Sequence, residues 1–323
     1  MSRPTRTVGG QLELAARSLA AAGIDTPRVD AEWLLADVLG VRRAALWTDP
    51  GRPLDEDSVA KYGTAVRRRV AREPLQQITG WQDFRGLRLR VTPDVLVPRP
   101  ETELLVEWAL EIFDTWTGVE SHVGASERET RSVPASPGRL RALGGLGGHV
   151  GAPQVQVIDV GTGSGCIACA LAAARPSARV LAIELSPRAA AVARANVAAT
   201  GVGDRVTVVV GDLLGAVAAG QVPLIVANPP YLASAALAGL SPEVACHDPR
   251  AALDGGADGL TVIRRLITSA ASRLLPGGAL LLETSGGEQT ARVAALLRDA
   301  GLSDVATRGD LAGVERFVAG RRR

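Results

Sequence analysis

Cysteine and long apolar runs are scarce in this chain of 323 residues. Cys166, Cys169 and Cys246 are too few to form a disulfide framework, which fits a reducing compartment. No uninterrupted apolar run reaches the roughly 18 residues that a membrane-spanning helix needs, and no apolar signal core follows Met1. We therefore expect a cytoplasmic protein without a membrane partner.

An excess of charge of one sign is also missing, because the formal net charge is only +2. A charge this small does not indicate a nucleic-acid partner, and we expect no direct nucleic-acid binding. Basic residues nevertheless cluster in one region: Arg67, Arg68, Arg69 and Arg72, then Arg85, Arg88 and Arg90. A solvated face is the default interpretation of such a run. The alternative is a docking surface for an acidic region of a protein partner.

The chain is long enough for two domains, and its pattern changes along its length. Residues 1–74 carry the apolar spacing of amphipathic helices and predict a small helical domain. Residues 75–98 include a stretch that alternates after Gly86, which predicts a β-hairpin linker. The remaining region, 99–323, begins with a predicted helix at Glu101–Phe113. A stretch rich in Gly, Ser, Arg and Pro at 114–153 interrupts it, and we expect this insertion to be disordered.

Strand and helix patterns alternate from residue 154 onward, which predicts an α/β fold with a mostly parallel sheet and helices on both faces. The expected strands are Val155–Val160, Val180–Glu184, Val206–Val210, Leu224–Ala227, Ala279–Glu283 and Arg316–Ala319. The expected helices are Ile167–Ala174, Pro187–Thr200, Leu260–Leu275 and Glu288–Ala300. Ligands of such sheets bind beyond the carboxyl ends of the strands.

A glycine loop, Gly161-Thr162-Gly163-Ser164-Gly165, joins the first of these strands to a helix. Its spacing is not the Gly-x-Gly-x-x-Gly of dinucleotide sites, and no Lys-Ser/Thr follows as in a Walker loop. Glu184, at the next strand end, can accept hydrogen bonds from ribose hydroxyls, and Asp212, at the third, can accept from an adenine amino group. Together these features predict a cofactor site. The alternative is that Glu184 and Asp212 are ordinary polar residues at strand ends.

Cys166 and Cys169 follow this loop, at the start of the predicted helix, with the spacing of a redox pair. A helix N-terminus lowers a thiol pKa, which would suit redox chemistry. Small residues also suit a helix packed tightly against a sheet. We favour packing, because the preceding loop already has another purpose.

A second motif, Asn228-Pro229-Pro230-Tyr231, ends the fourth predicted strand. Prolines cannot continue a central ladder, so they present side chains and carbonyls at the strand end. The Asn228 side-chain oxygen and the Pro229 backbone oxygen can both accept from one NH2 group, and Tyr231 can lie against a flat acceptor. Next to the cofactor loop, this arrangement predicts methyl transfer from S-adenosylmethionine to a planar amide or amino nitrogen. The alternative is that the motif is merely a turn.

These motifs, with three further segments, resemble the release-factor glutamine N5-methyltransferases over nearly the whole chain outside 114–153. The further segments are Arg72-Glu73-Pro74-Leu75-Gln76-Gln77-Ile78-Thr79-Gly80, Val95-Leu96-Val97-Pro98-Arg99-Pro100-Glu101-Thr102-Glu103 and Asp248-Pro249-Arg250-Ala251-Ala252-Leu253-Asp254-Gly255-Gly256. The segment Pro98–Glu103 discriminates best against the related enzymes that modify a ribosomal-protein glutamine.

The resemblance implies a Rossmann-like class I S-adenosylmethionine-dependent methyltransferase domain, preceded by a helical substrate-docking domain and a hairpin linker. It implies that the substrate is the glutamine in the Gly-Gly-Gln loop of class I peptide chain release factors. By the same resemblance, Gly161 to Gly165, Glu184, Asp212, Leu213 and Asn228 bind cofactor, and Asn228, Pro229, Pro230 and Tyr231 bind the glutamine. We expect a monomer and no metal ion.

The sequence departs from this family at Glu184, where Asp is common, at Gln77, which replaces a frequent Tyr, and at Leu213, which replaces an aromatic residue. Three other functions stay open. An N6-adenine DNA methyltransferase uses the same acceptor motif on a flipped base. A ribosomal-protein glutamine methyltransferase shares the chemistry, and a non-catalytic binding protein can retain the fold.

Overall fold

The computed structural model describes residues 6–118 and 156–323. Its N-terminal part is helical, as the apolar spacing predicts. The helices are α1 (Val8–Ala21), α2 (Pro27–Leu39), α3 (Ala45–Thr48), α4 (Glu56–Val70) and α5 (Leu75–Thr79). They pack around a core that includes Leu12, Leu35 and Tyr62, and the buried Tyr62 hydroxyl donates to the Ala31 carbonyl oxygen at 3.0 Å. Within the described residues, no helix has both the length and the apolar character needed to cross a membrane.

The predicted hairpin consists of β1 (Trp81–Phe84) and β2 (Leu87–Arg90), which pair antiparallel. Arg85 and Gly86 between them have φ angles of 47° and 77°, and positive φ at both positions is the signature of a tight hairpin turn that follows the twist of the strands. The hairpin is shorter than the predicted 75–98 linker. Helix α5 occupies 75–79 because Pro74 lies at its N-cap and Gly80, in the left-handed region, ends it.

Helix α6 (Pro100–Thr117) continues beyond the predicted end at Phe113. The reason is Asp114, whose buried carboxylate accepts from Arg175 Nε at 2.6 Å and from Arg175 Nη2 at 2.5 Å. From residue 119 onward, the insertion predicted to be disordered lies outside the described residues.

The second part of the chain is an α/β sheet. Its strands are β3 (Val157–Val160), β4 (Val180–Glu184), β5 (Val206–Val210), β6 (Val222–Ala227), β7 (Leu274–Glu283), β8 (Leu302–Gly309) and β9 (Glu315–Arg322). Its longer helices are α7 (Cys166–Ala174), α8 (Pro187–Ala199), α11 (Thr261–Arg273) and α12 (Glu288–Asp299), and between β6 and α11 lie a 3-10 helix (Ser234–Gly239), α9 (Pro242–His247) and α10 (Arg250–Leu253).

The strand order is β5-β4-β3-β6-β7-β9-β8, with β5 to β7 parallel and β9 and β8 antiparallel. Neighbouring residues of β3 face opposite sides of the sheet, so each side has its own hydrophobic core. Val157 packs in one core with α6 and α7, and Ile158 packs in the other with α11 and α12. The order reverses between β3 and β6, and a crevice forms at the carboxyl ends of strands at such a point.

Strand β8 is absent from the sequence-based prediction. Its sequence, Leu302–Gly309, is mostly polar or exposed because it lies at the sheet edge, so it lacks the apolar signal of a central strand. The predicted helix Leu260–Leu275 also ends two residues early, at Arg273, and Leu274 already belongs to β7.

Ion pairs attach the N-terminal helices to α9. Arg69 pairs with Asp30 at 2.7 Å and with Glu243 at 2.9 Å, and Arg72 pairs with Glu243 at 2.8 Å. The Arg69 side chain is only 10% exposed, so this part of the basic run is not the solvated face that its composition suggests. It is an internal contact between the two parts of the chain.

Candidate active site

A cavity of about 300 Å³ opens at the carboxyl ends of the parallel strands. It brings together most of the residues that the sequence singles out: Gly161, Thr162, Gly163, Ser164, Glu184, Asp212, Leu213, Asn228 and Pro230. Gly165, Pro229 and Tyr231 do not line it. The start of α6 contributes Arg99 and Thr102, so the segment Pro98–Glu103 lies at the same site as both motifs.

The glycine loop leaves β3 with Gly161 at φ 71° and Gly163 at φ 55°. Gly165, at φ 82°, has a separate purpose, since a Cβ there would lie 3.3 Å from the Ala193 backbone of α8. Two of the glycines therefore shape the cavity wall, and the third allows close packing behind it.

Asp159 holds this loop in place and was not identified from the sequence. Its buried Oδ2 accepts from Thr162 Oγ1 at 2.5 Å and from the Ala168 amide at 3.1 Å, which joins the loop to the first turn of α7. Burial raises the pKa of Asp159 to about 7. The sequence does mark Asp159, because it is an acidic residue inside an otherwise apolar strand just before the glycine loop.

Glu184 lies beside the loop with both carboxylate oxygens in use. Oε2 accepts from the Gly163 amide at 2.9 Å, and Oε1 accepts from the Ser186 amide at 2.8 Å. Because a carboxylate can accept about four hydrogen bonds, one further donor can bind at each oxygen. The two backbone amides hold the carboxylate in a fixed orientation at the cavity wall.

Asp212 and Leu213 also line the cavity. Asp212 Oδ2 pairs with Arg265 Nη2 at 2.6 Å, and Arg265 also lines the cavity. One oxygen of Asp212 is therefore engaged within the chain, and Oδ1 is the one available to an adenine amino group. Leu213 has φ 48°, a left-handed conformation that is uncommon for a leucine and that clusters at functional sites.

Asn228 is connected to two residues to which the sequence assigned no role, Glu283 and, within the segment Pro98–Glu103, Thr102. Its Nδ2 donates to Thr102 Oγ1 at 3.1 Å, and Thr102 Oγ1 donates to Glu283 Oε2 at 2.9 Å. Thr102 and Glu283 are both 2% exposed. Burial raises the pKa of Glu283 to about 7, against the opposing effect of the Thr102 hydrogen bond.

Tyr231 is partly buried against the core that α11 and α12 form. Its carbonyl oxygen accepts from Gln289 Nε2 at 2.8 Å, and a Cβ at Gly259 would collide with the same oxygen. Burial, then the nearby Glu283 carboxylate, raise the pKa of Tyr231 to about 12, so its phenol stays protonated at neutral pH. Pro229 is buried too, and neither residue is among those that line the cavity.

The two cysteines differ in environment, because Cys166 is partly exposed and lines the cavity whereas Cys169 is packed in the core. Cys169 is buried, and burial raises the pKa of Cys166 to about 12 and that of Cys169 to about 11. A reactive thiol needs a lowered pKa, so these values support the packing interpretation.

The parallel strands with a glycine loop after the first, an acidic residue after the second, and the antiparallel pair at the sheet edge define a class I methyltransferase. Residues 149–241 match the Methyltransferase small domain, and residues 11–80 match the PrmC N-terminal domain. Among solved structures, the catalytic domain of hMettl16, in complex with MAT2A 3'UTR hairpin 6, superposes with a TM-score of 0.51 at 17% identity over 83% of each chain. This likeness shows the shared fold.

Curated relatives are more similar over the whole length. The release factor glutamine methyltransferase of Deinococcus radiodurans is 41% identical over 311 residues, which are 96% of this chain and 97% of that protein. The one from Geobacter sulfurreducens is 39% identical over 94% of this chain and 92% of its own length. The chain therefore belongs to the release factor glutamine methyltransferase family.

Proposed function

We propose that this chain transfers a methyl group from S-adenosylmethionine to the side-chain amide nitrogen, N5, of the glutamine in the Gly-Gly-Gln loop of class I release factors. The observation that carries the proposal is the position of Asn228 in the same cavity as the glycine loop and Glu184. An amide held by Asn228 would therefore lie next to a cofactor held by the loop.

The residues present fit this cofactor. Glu184 retains one acceptor site on each oxygen for two ribose hydroxyls, Asp212 Oδ1 can accept from the adenine amino group, and Gly161 and Gly163 leave the cavity wall free of side chains. When bound, the cofactor supplies a methyl group on a sulfonium, which is already a good leaving group. The chain's own task is to hold the acceptor nitrogen in line with that methyl group.

The acceptor nitrogen needs orientation, because an amide lone pair is delocalised. Asn228 Nδ2 points to Thr102, so Asn228 Oδ1 is the atom left to accept a hydrogen bond from the substrate. Together with the Pro229 backbone oxygen, it would hold both N–H groups of the substrate amide. Two acceptors stabilise the more positive nitrogen that develops as the methyl group arrives. The phenol of Tyr231, which stays protonated, is unsuited to act as a base at neutral pH.

A release factor is favoured over a DNA base because the likeness to release factor glutamine methyltransferases extends through the N-terminal helices as well as the sheet. Those helices are fixed to α9, shortly after the acceptor motif, by Glu243 with Arg69 and Arg72. A protein substrate bound on the helical part would thus be held at a defined distance from Asn228.

The variant Asn228→Ala tests the assigned role. We expect it to lose methyl transfer to a release factor while it binds S-adenosylhomocysteine in calorimetry nearly as the wild type does. Gln221→Ala is the matched control, because it removes an exposed amide at the opposite end of β6. An Asn228→Ala variant with wild-type activity would refute the role, and a wild type that binds no cofactor would refute the cofactor site.

A further inference from the structure

We propose that Thr102 and Glu283 are positioning residues that fix the Asn228 side-chain amide, so that Oδ1 and not Nδ2 is presented to the substrate nitrogen. This inference rests on the proposed function. It assigns a task to two buried polar residues that neither motif includes.

The direction of the chain of hydrogen bonds follows from the number of protons. Thr102 has one hydroxyl proton and gives it to Glu283 Oε2 at 2.9 Å, since an ionised carboxylate is the strongest acceptor nearby. The Thr102 oxygen can then only accept, and the group that donates to it at 3.1 Å must be Asn228 Nδ2. An amide turned by 180° would place two acceptors against each other.

Three elements of the fold hold this chain of bonds rigid. Thr102 lies in the first turn of α6, Asn228 follows the last residue of β6, and Glu283 is the last residue of β7. Strands β6 and β7 are paired up to Ala227 and Leu282, so Asn228 and Glu283 emerge side by side. Thr102 and Glu283 lie away from solvent, where hydrogen bonds are strong and an unmade one is costly.

The charge of Glu283 determines which atom of the Asn228 side-chain amide faces Thr102. Burial above all raises the pKa of Glu283 to about 7, and Glu101 of α6 acts in the same direction, while the Thr102 hydrogen bond, Arg316 of β9 and the nearby Asn228 amide lower it. The phenol of Tyr231 also faces it, and Arg99 adds positive charge nearby. A protonated Glu283 can donate to Thr102, which then donates to Asn228 Oδ1 and turns the amide the wrong way. The active form is therefore the carboxylate, and kcat should fall as the pH drops below about 7.

Thr102→Val removes the hydroxyl with little change in shape. We expect kcat to fall about tenfold or more, the effect of a lost orienting hydrogen bond, with the affinity for S-adenosylhomocysteine unchanged. Thr102→Ser restores the hydroxyl and should recover most of the activity. Thr115→Val, which removes an exposed hydroxyl bonded only within α6, should behave as the wild type. Full activity of Thr102→Val, or no recovery in Thr102→Ser, overturns the proposal.

Glu283→Gln gives a second, independent readout, which decides the question even if Thr102→Val does not fold. The decline of wild-type kcat below about pH 7 should be missing in this variant, because the titrating group is gone. A variant that keeps the same pH midpoint as the wild type contradicts the assignment.

A measurement without substrate separates this inference from the proposed function. The chain has two asparagines, Asn196 and Asn228, so the side-chain amide signal of Asn228 is readily assigned by NMR in isotope-labelled protein. We expect that signal to shift in Thr102→Val, to stay near its wild-type position in Thr102→Ser, and to titrate near pH 7 in the wild type and in Thr102→Ser but not in Glu283→Gln. If the wild type does not methylate a release factor, the proposed function fails while this signal still decides the role of Thr102. An Asn228 signal that is unchanged in Thr102→Val overturns it.

Discussion

Asn196 connects the hairpin to the glycine loop, and Asn196→Ala should weaken both stability and cofactor binding. This side chain on α8 is 1% exposed and makes three hydrogen bonds. Its Oδ1 accepts from the Arg90 amide at 2.7 Å, and its Nδ2 donates to the carbonyl oxygens of Arg90 at 3.0 Å and of Ser164 at 2.8 Å. The variant loses all three.

At about 1 kcal/mol for each hydrogen bond, the loss is about 3 kcal/mol. This net figure already allows for water at the exposed Arg90, and the carbonyl oxygen of Ser164, which is only 2% exposed, would stay unpaired. The free energy of unfolding should therefore fall by about 3 kcal/mol in urea denaturation followed by circular dichroism. Calorimetry should show weaker binding of S-adenosylhomocysteine, because Ser164 belongs to the cavity wall.

The exposed Arg194→Ala on the same helix is the control and should change the free energy of unfolding by less than about 0.5 kcal/mol. If Asn196→Ala is as stable as this control, the three hydrogen bonds do not join the hairpin to the loop in the way described.

Three further predictions concern charged groups. Glu184→Gln should weaken S-adenosylhomocysteine binding by about tenfold or more in calorimetry, since it loses charge-assisted hydrogen bonds; unchanged affinity would exclude Glu184 as the ribose acceptor. Because the pKa of Glu283 is raised from its ordinary value of 4.5 to about 7, the side chain contributes most to the free energy of unfolding below pH 4.5. This contribution is lost as the pH rises through about 7. In urea denaturation, Glu283→Gln should therefore be more stable than the wild type at pH 8. It should also lose less stability than the wild type between pH 4.5 and 7. A variant that is less stable than the wild type at pH 8 would contradict the presence of a buried charge. Arg69→Met leaves the buried Asp30 without its partner and should cost about 3 to 5 kcal/mol of unfolding free energy, whereas a neutral effect would mean that this ion pair adds nothing.

The sequence predicted the parts of the site that follow from local pattern. The glycine loop, Glu184 and Asn228 each come directly after an apolar strand, and the carboxyl ends of parallel strands meet at one edge of the sheet. These residues do share one cavity in the structure. The hairpin was also predictable, because a two-residue turn with Gly86 separates its alternating strands.

The parts that could not be predicted depend on contacts between distant segments. Thr102 and Glu283 are 181 positions apart, and nothing in either local sequence indicates that they meet. Tyr231 belongs to the acceptor motif, yet it packs against the core that includes α11 and α12 and does not line the cavity. In the sequence, Arg69 is one of several arginines in a basic run. Only the fold shows that it is buried and paired with Asp30 and Glu243.

The central claim is that the amide beside Asn228 belongs to a release-factor glutamine. The most direct measurement is peptide mass spectrometry of a class I release factor incubated with this protein and S-adenosylmethionine. We predict a mass gain of one methylene group on the glutamine of the Gly-Gly-Gln loop, which is missing with Asn228→Ala. An unmodified glutamine, a methyl group on another residue, or methylated adenine in DNA offered in the same reaction would contradict the claim.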